Sequence, residues 1–408
     1  MTAAALSNNG RNDYLPIGRL WRCDRPAGVA FHEEILEIAS RNCYTYIMSE
    51  AVRHHYEEYP YPSYSLVASV RRCDTYALNL EAIWARFNGR LPRSEARRIL
   101  IAGCGSFSPY PFAVANPRVP ITALDLSRRS LQRARLHCLL HGRYNVVFTA
   151  GDLCDRQAVD GTFGLIDAYG VLHHLDDPLQ GLKALAERLI DGGILRIMVY
   201  SRYARRDEES IRRAFKLLKI QDIKAIRRLF ARARPGSRLR RFAEKSSEAT
   251  SASGLADALL HPRVHTFRID ECMELVRGSG LQPLLFAHTD ALEDVSDEIR
   301  RLRLLETEGR SPGNFVLYLG RKNGKSGTDI PDPHLILNPC LRGSVGCFDL
   351  GTLRIIPRLG HRTPPIGHRE RHFLRPFLKA VSWKALSPAV QATAGGYLQA
   401  LFLLRFRP

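Results

Sequence analysis

The 408-residue sequence has no CxxC pair; its nine cysteines are scattered and odd in number. That usage argues against a disulfide framework and fits a reducing compartment. Cys43, His54, His55 and Cys73 match no ligand spacing, so no metal site is expected. No apolar run reaches the roughly 20 residues that span a bilayer, so no transmembrane segment is expected. The opening MTAAALSNNGRNDY lacks a basic n-region followed by an apolar h-region. No signal peptide is therefore expected, and a cytoplasmic location is. No repeat of about 20–50 residues is visible.

What is present is a core-forming chain with a strongly basic balance. Apolar residues make up 45% and the formal net charge is +19. The length allows one large domain with smaller additions. The charge suggests an anionic partner, or simply a surface that uses arginine by default.

Residues 1–95 read as a mostly helical cap. The segment 31–59 carries apolar residues at helical spacing and stops at Pro60-Tyr61-Pro62. A second helix is predicted from Asp74 to Phe87. From residue 98 the pattern alternates. RILIAG, ITALDLS (121–127), NVVFTAGD (145–152), GLIDAYGVL (164–172) and GILRIMVYS (193–201) read as strands. Helices at 130–142 and after Pro178 lie between them. This predicts an α/β fold with a parallel sheet covered on both faces. LQPLLFAHT (281–289) and NFVLYLGRK (314–322) are two further strands, compatible with an antiparallel end. The domain is expected over 96–322, with a basic helical insertion at 205–260. Residues 323–335 read as a linker by composition, and 323–408 as a whole as linker and small C-terminal extension.

Gly103-Cys104-Gly105 follows the first strand, where α/β proteins bind ligands. Asp125 ends the second strand about 20 residues later, placed to accept ribose hydroxyls, and Asp152 follows the third, where it suits an adenine amino group. A nicotinamide dinucleotide wants a third glycine at 108, but Phe107-Ser108-Pro109 stands there and would crowd a pyrophosphate. The turn therefore favours a nucleoside over a dinucleotide. A nicotinamide-dependent oxidoreductase stays the alternative.

ILIAGCGSF, ITALDLS, AGDL, YGVLHHLDDP and GGILRIMVYS occur in the order and spacing of class I S-adenosylmethionine-dependent methyltransferases. The chain resembles that family over roughly residues 50–322. YEEYPYPSY (56–64) and LLHPRVHTFRIDECMELVRGSGL (259–281) are similar to a bacterial subgroup sometimes fused to tetratricopeptide repeats. Ile101 and Phe107 replace the acidic residue and third glycine that many relatives carry. The resemblance implies a Rossmann-like seven-stranded, mostly parallel sheet with a reversed last strand. It also implies S-adenosyl-L-methionine as cofactor. Gly103, Cys104 and Gly105 would lie beside its methionine part, Asp125 and Leu126 at its ribose, Asp152 and Leu153 at its adenine, and Tyr169 at the following strand end.

Methyl transfer needs a base only when the nucleophile arrives protonated. His173 and His174 are the base candidates; packing beneath the cofactor is the other role open to them. Tyr56, Tyr59, Tyr61 and Tyr64 could form an aromatic lid or anchor the cap. His261 and His265 are a further pair near the site. DAYG is not the Asn-Pro-Pro-Tyr-type motif of base-amine methylation, and no Pro-Cys pair supplies a cytosine nucleophile. Arg205 to Lys245 carries 15 Lys/Arg against 5 Asp/Glu. Helix 207–241 is expected to be a solvated face, an RNA-docking surface or a membrane or acidic-protein contact. The acceptor expected is an oxygen or nitrogen of a small molecule or protein, with tRNA the alternative.

Overall fold

The computed structural model describes residues 50–321, 332–346 and 351–408. The helix expected over 31–59 lies outside the described residues as far as 49; residues 50–58 form α1. The linker expected over 323–335 lies outside them as far as 331.

Seven strands form the main sheet. They are β1 (Ile99–Ala102), β2 (Ile121–Asp125), β3 (Val146–Ala150), β4 (Phe163–Tyr169), β5 (Leu189–Val199), β6 (Gln282–Phe286) and β7 (Phe315–Gly320). Their order is β3-β2-β1-β4-β5-β7-β6, and β7 runs antiparallel to both neighbours. This is the Rossmann-like sheet with a reversed last strand. Ile99 to Ala102 are all buried, as a strand covered on both faces requires. Chain order reverses between β1 and β4. The crevice beyond their C-terminal ends is therefore the topological switch point where such sheets hold ligands.

Helices α2 (Leu80–Asn88), α3 (Pro109–Ala115) and α4 (Arg128–Leu140) cover one face; α5 (Pro178–Glu187) covers the other. The single helix expected from Asp74 to Phe87 is two elements. A 3₁₀ turn (Arg72–Leu78) precedes α2, and the Asn79 side chain caps α2 by accepting from the Ala82 N–H.

The expected helix 207–241 is three helices: α6 (Arg206–Leu217), α7 (Ile223–Arg232) and α8 (Arg238–Lys245). Lys219 at φ 54° ends the first, Asp222 caps the second, and Gly236 with the Ser237 cap separates the third. The amphipathic stripe survives these breaks because Ile211, Phe215, Ile223, Ile226 and Phe242 share one small core. That core is closed by α9 (Ala252–Leu255) and the π-helical turn Ala256–Leu260. Helices α10 (Ile269–Gly278) and α11 (Val295–Thr307) complete the second face.

Strands β8 (His334–Leu337), β9 (Val381–Ser382) and β10 (Leu403–Phe406) form a small antiparallel sheet. It shares a core with α2 and β1. Asn338 donates to the carbonyls of Tyr76 and Leu401, so this segment is built into the domain.

Candidate active site

The turn after β1 passes through Gly103 and Gly105 at φ 64° and 57°. A Cβ at Gly103 would lie 2.4 Å from Val171 Cγ2, and one at Gly105 would lie 2.5 Å from the Tyr61 carbonyl oxygen. Only glycine meets both demands. Tyr61 holds the turn from above: its carbonyl accepts the Ser106 N–H at 3.1 Å. Phe107, at the place of the missing third glycine, packs its ring on Tyr64 (4.5 Å between centroids), Tyr110 and His137. An aromatic cluster thus seats the 61–64 segment on the loop.

The first turn of α3 has no free donors. Pro109 and Pro111 lack N–H groups, and the Tyr110 N–H is bonded to the Phe107 carbonyl. A pyrophosphate needs such donors at a helix start. A nucleoside held by a carboxylate does not.

Asp125 places a carboxylate beside this turn. Its Oδ2 accepts the Gly105 N–H at 2.7 Å and its Oδ1 the Ser127 N–H at 2.9 Å. Each oxygen keeps a second acceptor site. Burial pushes the carboxyl up to about 6, against the pull of these two N–H groups. Asp152 lies two residues beyond Ala150, the β3 residue paired with Asp125, and its Oδ1 accepts the Cys154 N–H at 2.9 Å. Leu126 is half-buried, whereas the Leu153 side chain is buried near Gly181 of α5. Cys104 is buried and its thiol is pushed well up by burial, which suits packing and not nucleophilic attack.

At the end of β4, Tyr169 is 46% exposed and its ring lies 4.9 Å from the Arg196 guanidinium carbon. His173 and His174 are buried in a polar cluster. His173 stacks on Tyr200 at 3.7 Å, and neither of its ring nitrogens has a well-formed hydrogen bond. His174 lies 3.8 Å from the His261 ring and bonds the Arg263 carbonyl through Nδ1 at 2.8 Å. Burial drives His174 down to about 3 and His173 and His261 well below their ordinary value, so all three are neutral at physiological pH. Histidine identity alone suggests titration near neutrality; burial removes it.

Tyr56 joins the cluster and donates its hydroxyl to Asp257 Oδ1 at 2.8 Å. Tyr61 is half-buried nearby, its phenol raised by burial and by the charges of Asp257 and Glu248. Tyr59 instead packs against the small core of the insertion. His265 also points elsewhere: its ring Nε2 bonds the Leu175 carbonyl at 3.0 Å and its backbone N–H donates to the His173 carbonyl at 2.8 Å, tethering two loops.

Several residues of this cluster are not evident from the motifs. Asp257 is buried, and burial pushes its carboxyl up to about 6 despite the Tyr56 bond. It is the one charge in the apolar run Leu255–Leu260, and that isolation is its only sequence signal. His55 has an unpartnered Nε2 and falls to about 4 through burial. Arg205 is held bidentate by Glu248 (2.7 and 3.0 Å) over the Tyr200 ring. Arg212 donates to the His261 carbonyl at 2.8 Å. Among the described residues no group of three or more His, Cys, Asp or Glu side chains is placed to hold a metal ion.

Residues 100–195 match the family model described as a methyltransferase domain. An uncharacterized protein of Synechococcus sp. is 31% identical over 300 residues, covering 67% of this chain and 72% of that protein. The chain belongs to the class I S-adenosylmethionine-dependent methyltransferases. Its cofactor is S-adenosylmethionine, which removes the nicotinamide alternative. The ubiquinone biosynthesis O-methyltransferase of Bordetella avium is 32% identical over 102 residues, 24% of this chain and 41% of that enzyme. This methyltransferase thus spans about two fifths of that relative's length. The structure of PKMT2 from Rickettsia typhi in complex with AdoHcy shares the fold at TM-score 0.52 and 14% identity, covering 85% of this chain and 77% of that one. No helix among the described residues is long and apolar enough to cross a membrane.

Proposed function

We propose that the enzyme methylates an oxygen or nitrogen atom of a small molecule or protein, with Asp125 gripping the ribose of the cofactor. The Gly105–Asp125 hydrogen bond carries this reading, because it fixes a buried carboxylate with spare acceptor sites against a turn that no side chain can fill. Asp152 and the backbone at Leu153 take the adenine, and Gly103 and Gly105 let the chain pass close to the methionine part. When bound, S-adenosylmethionine supplies an activated methyl group, so the protein mainly orients the acceptor and excludes water.

The acceptor side is the buried cluster of Tyr56, His173, His174, Asp257 and His261. Tyr56 keeps its proton and donates it in a hydrogen bond to Asp257, and Asp257, poised near 6, can take a proton from a hydroxyl or ammonium acceptor. The neutral histidines offer hydrogen bonds without charge. An oxygen acceptor gains support from the O-methyltransferases among the partial relatives.

The test is transfer of labelled methyl from S-adenosylmethionine into fractions of a cell extract. Label in the small-molecule or protein fraction supports the reading, and label only in RNA contradicts it.

A further inference from the structure

The insertion divides its charges unevenly. Arg205, Arg213, Arg240 and Arg241 are paired with Glu248, Glu209, Glu244 and Asp207. In the stretch 216–232 the cations are different. Lys216, Lys219, Lys224, Arg227, Arg228 and Arg232 are exposed, and their side chains make no ion pair or hydrogen bond among the described residues. On α7 the four of them recur at helical spacing on the face opposite Ile223 and Ile226, which are buried.

Between Lys216 and Lys219, at the end of α6, Leu217 and Leu218 face water, 84% and 69% exposed. The helix does not bury them, because its core contacts are Ile211 and Phe215. An apolar pair set among unpaired cations needs an occupant that is both anionic and able to take up hydrocarbon.

We infer that the α6–α7 corner docks on a bilayer surface carrying anionic headgroups, with Leu217 and Leu218 entering the acyl boundary and the α7 cations meeting the headgroups. Charge complementarity favours any anionic partner; the leucines decide between them. RNA gains nothing from aliphatic side chains, and its usual stacking partners are aromatic. Phe230, the one aromatic on α7, is packed in the small core of the insertion. A lipid surface uses both features together. The inference is independent of the acceptor reading.

The test is co-sedimentation of the full chain with phosphatidylcholine vesicles, with vesicles containing roughly one-third phosphatidylglycerol, and gel shift with tRNA, all near physiological ionic strength. The protein binds the phosphatidylglycerol vesicles and not phosphatidylcholine alone. Leu217→Ser/Leu218→Ser weakens that binding about tenfold or more. Lys224→Glu/Arg227→Glu/Arg228→Glu abolishes it. Circular dichroism and thermal midpoint stay close to wild type in both variants, since these side chains are exposed and make no ion pair or hydrogen bond among the described residues. Absence of vesicle binding, or vesicle binding indifferent to the leucines, overturns the inference. Tighter binding to tRNA than to vesicles, unaffected by the leucine change, assigns the surface to nucleic acid instead.

Discussion

Gly105 donates its backbone N–H to Asp125 Oδ2 at 2.7 Å, so the turn after β1 and the tip of β2 act as one unit. The same carboxylate is the proposed ribose acceptor, and burial holds its carboxyl up at about 6. Protonation removes acceptor capacity. Affinity for S-adenosylmethionine should therefore be flat from pH 8 to 7 and fall by about tenfold per unit well below 6. The stability term has the opposite sign. The folded value is raised, so this group favours the fold at low pH and that contribution is lost as pH rises through 6. Calorimetric titration of cofactor across pH 5 to 8 checks the binding limb.

Gly105→Ala should remove cofactor binding and cost about 2 kcal/mol or more in urea unfolding. The added Cβ meets the Tyr61 carbonyl oxygen at 2.5 Å in addition to the positive φ. Gly142→Ala is the matched control. It has φ 65° with nothing within 4 Å, so it should cost only about 1 kcal/mol and leave binding intact.

Asp257→Asn should stabilise the protein at pH 8 relative to pH 5. Burial raises the Asp257 carboxyl from its usual range to about 6, so the ionised form costs stability above pH 6. An Asn oxygen still accepts from Tyr56. The difference in thermal midpoint between variant and wild type, followed from pH 5 to 8, should move in the variant's favour as pH rises. The same change should lower methyl transfer about a hundredfold or more while leaving cofactor affinity unchanged.

The sheet was legible because buried strands print apolar runs; Ile99–Ala102 is wholly apolar and buried, and Ile121–Asp125 is mostly so. The residues proposed for the cofactor could be nominated from the sequence because they sit at strand ends, at spacings that backbone geometry fixes. The acceptor half was not. His55, Asp257 and Arg212 come from α1, the π turn and α6, and only packing brings them together. The breaks at Lys219 and Asn79 were also hidden. A positive φ at lysine and a mid-pattern Asn cap leave the apolar stripe on either side undisturbed.

The most direct test is isothermal titration of S-adenosylmethionine into wild type and Asp125→Ala at pH 7.5. Two charge-assisted hydrogen bonds to ribose are at stake, each about 1.5–3 kcal/mol. Saturable binding by wild type and at least about a hundredfold weakening in the variant is the expected result. Equal affinity in the two proteins would mean that Asp125 does not hold the cofactor.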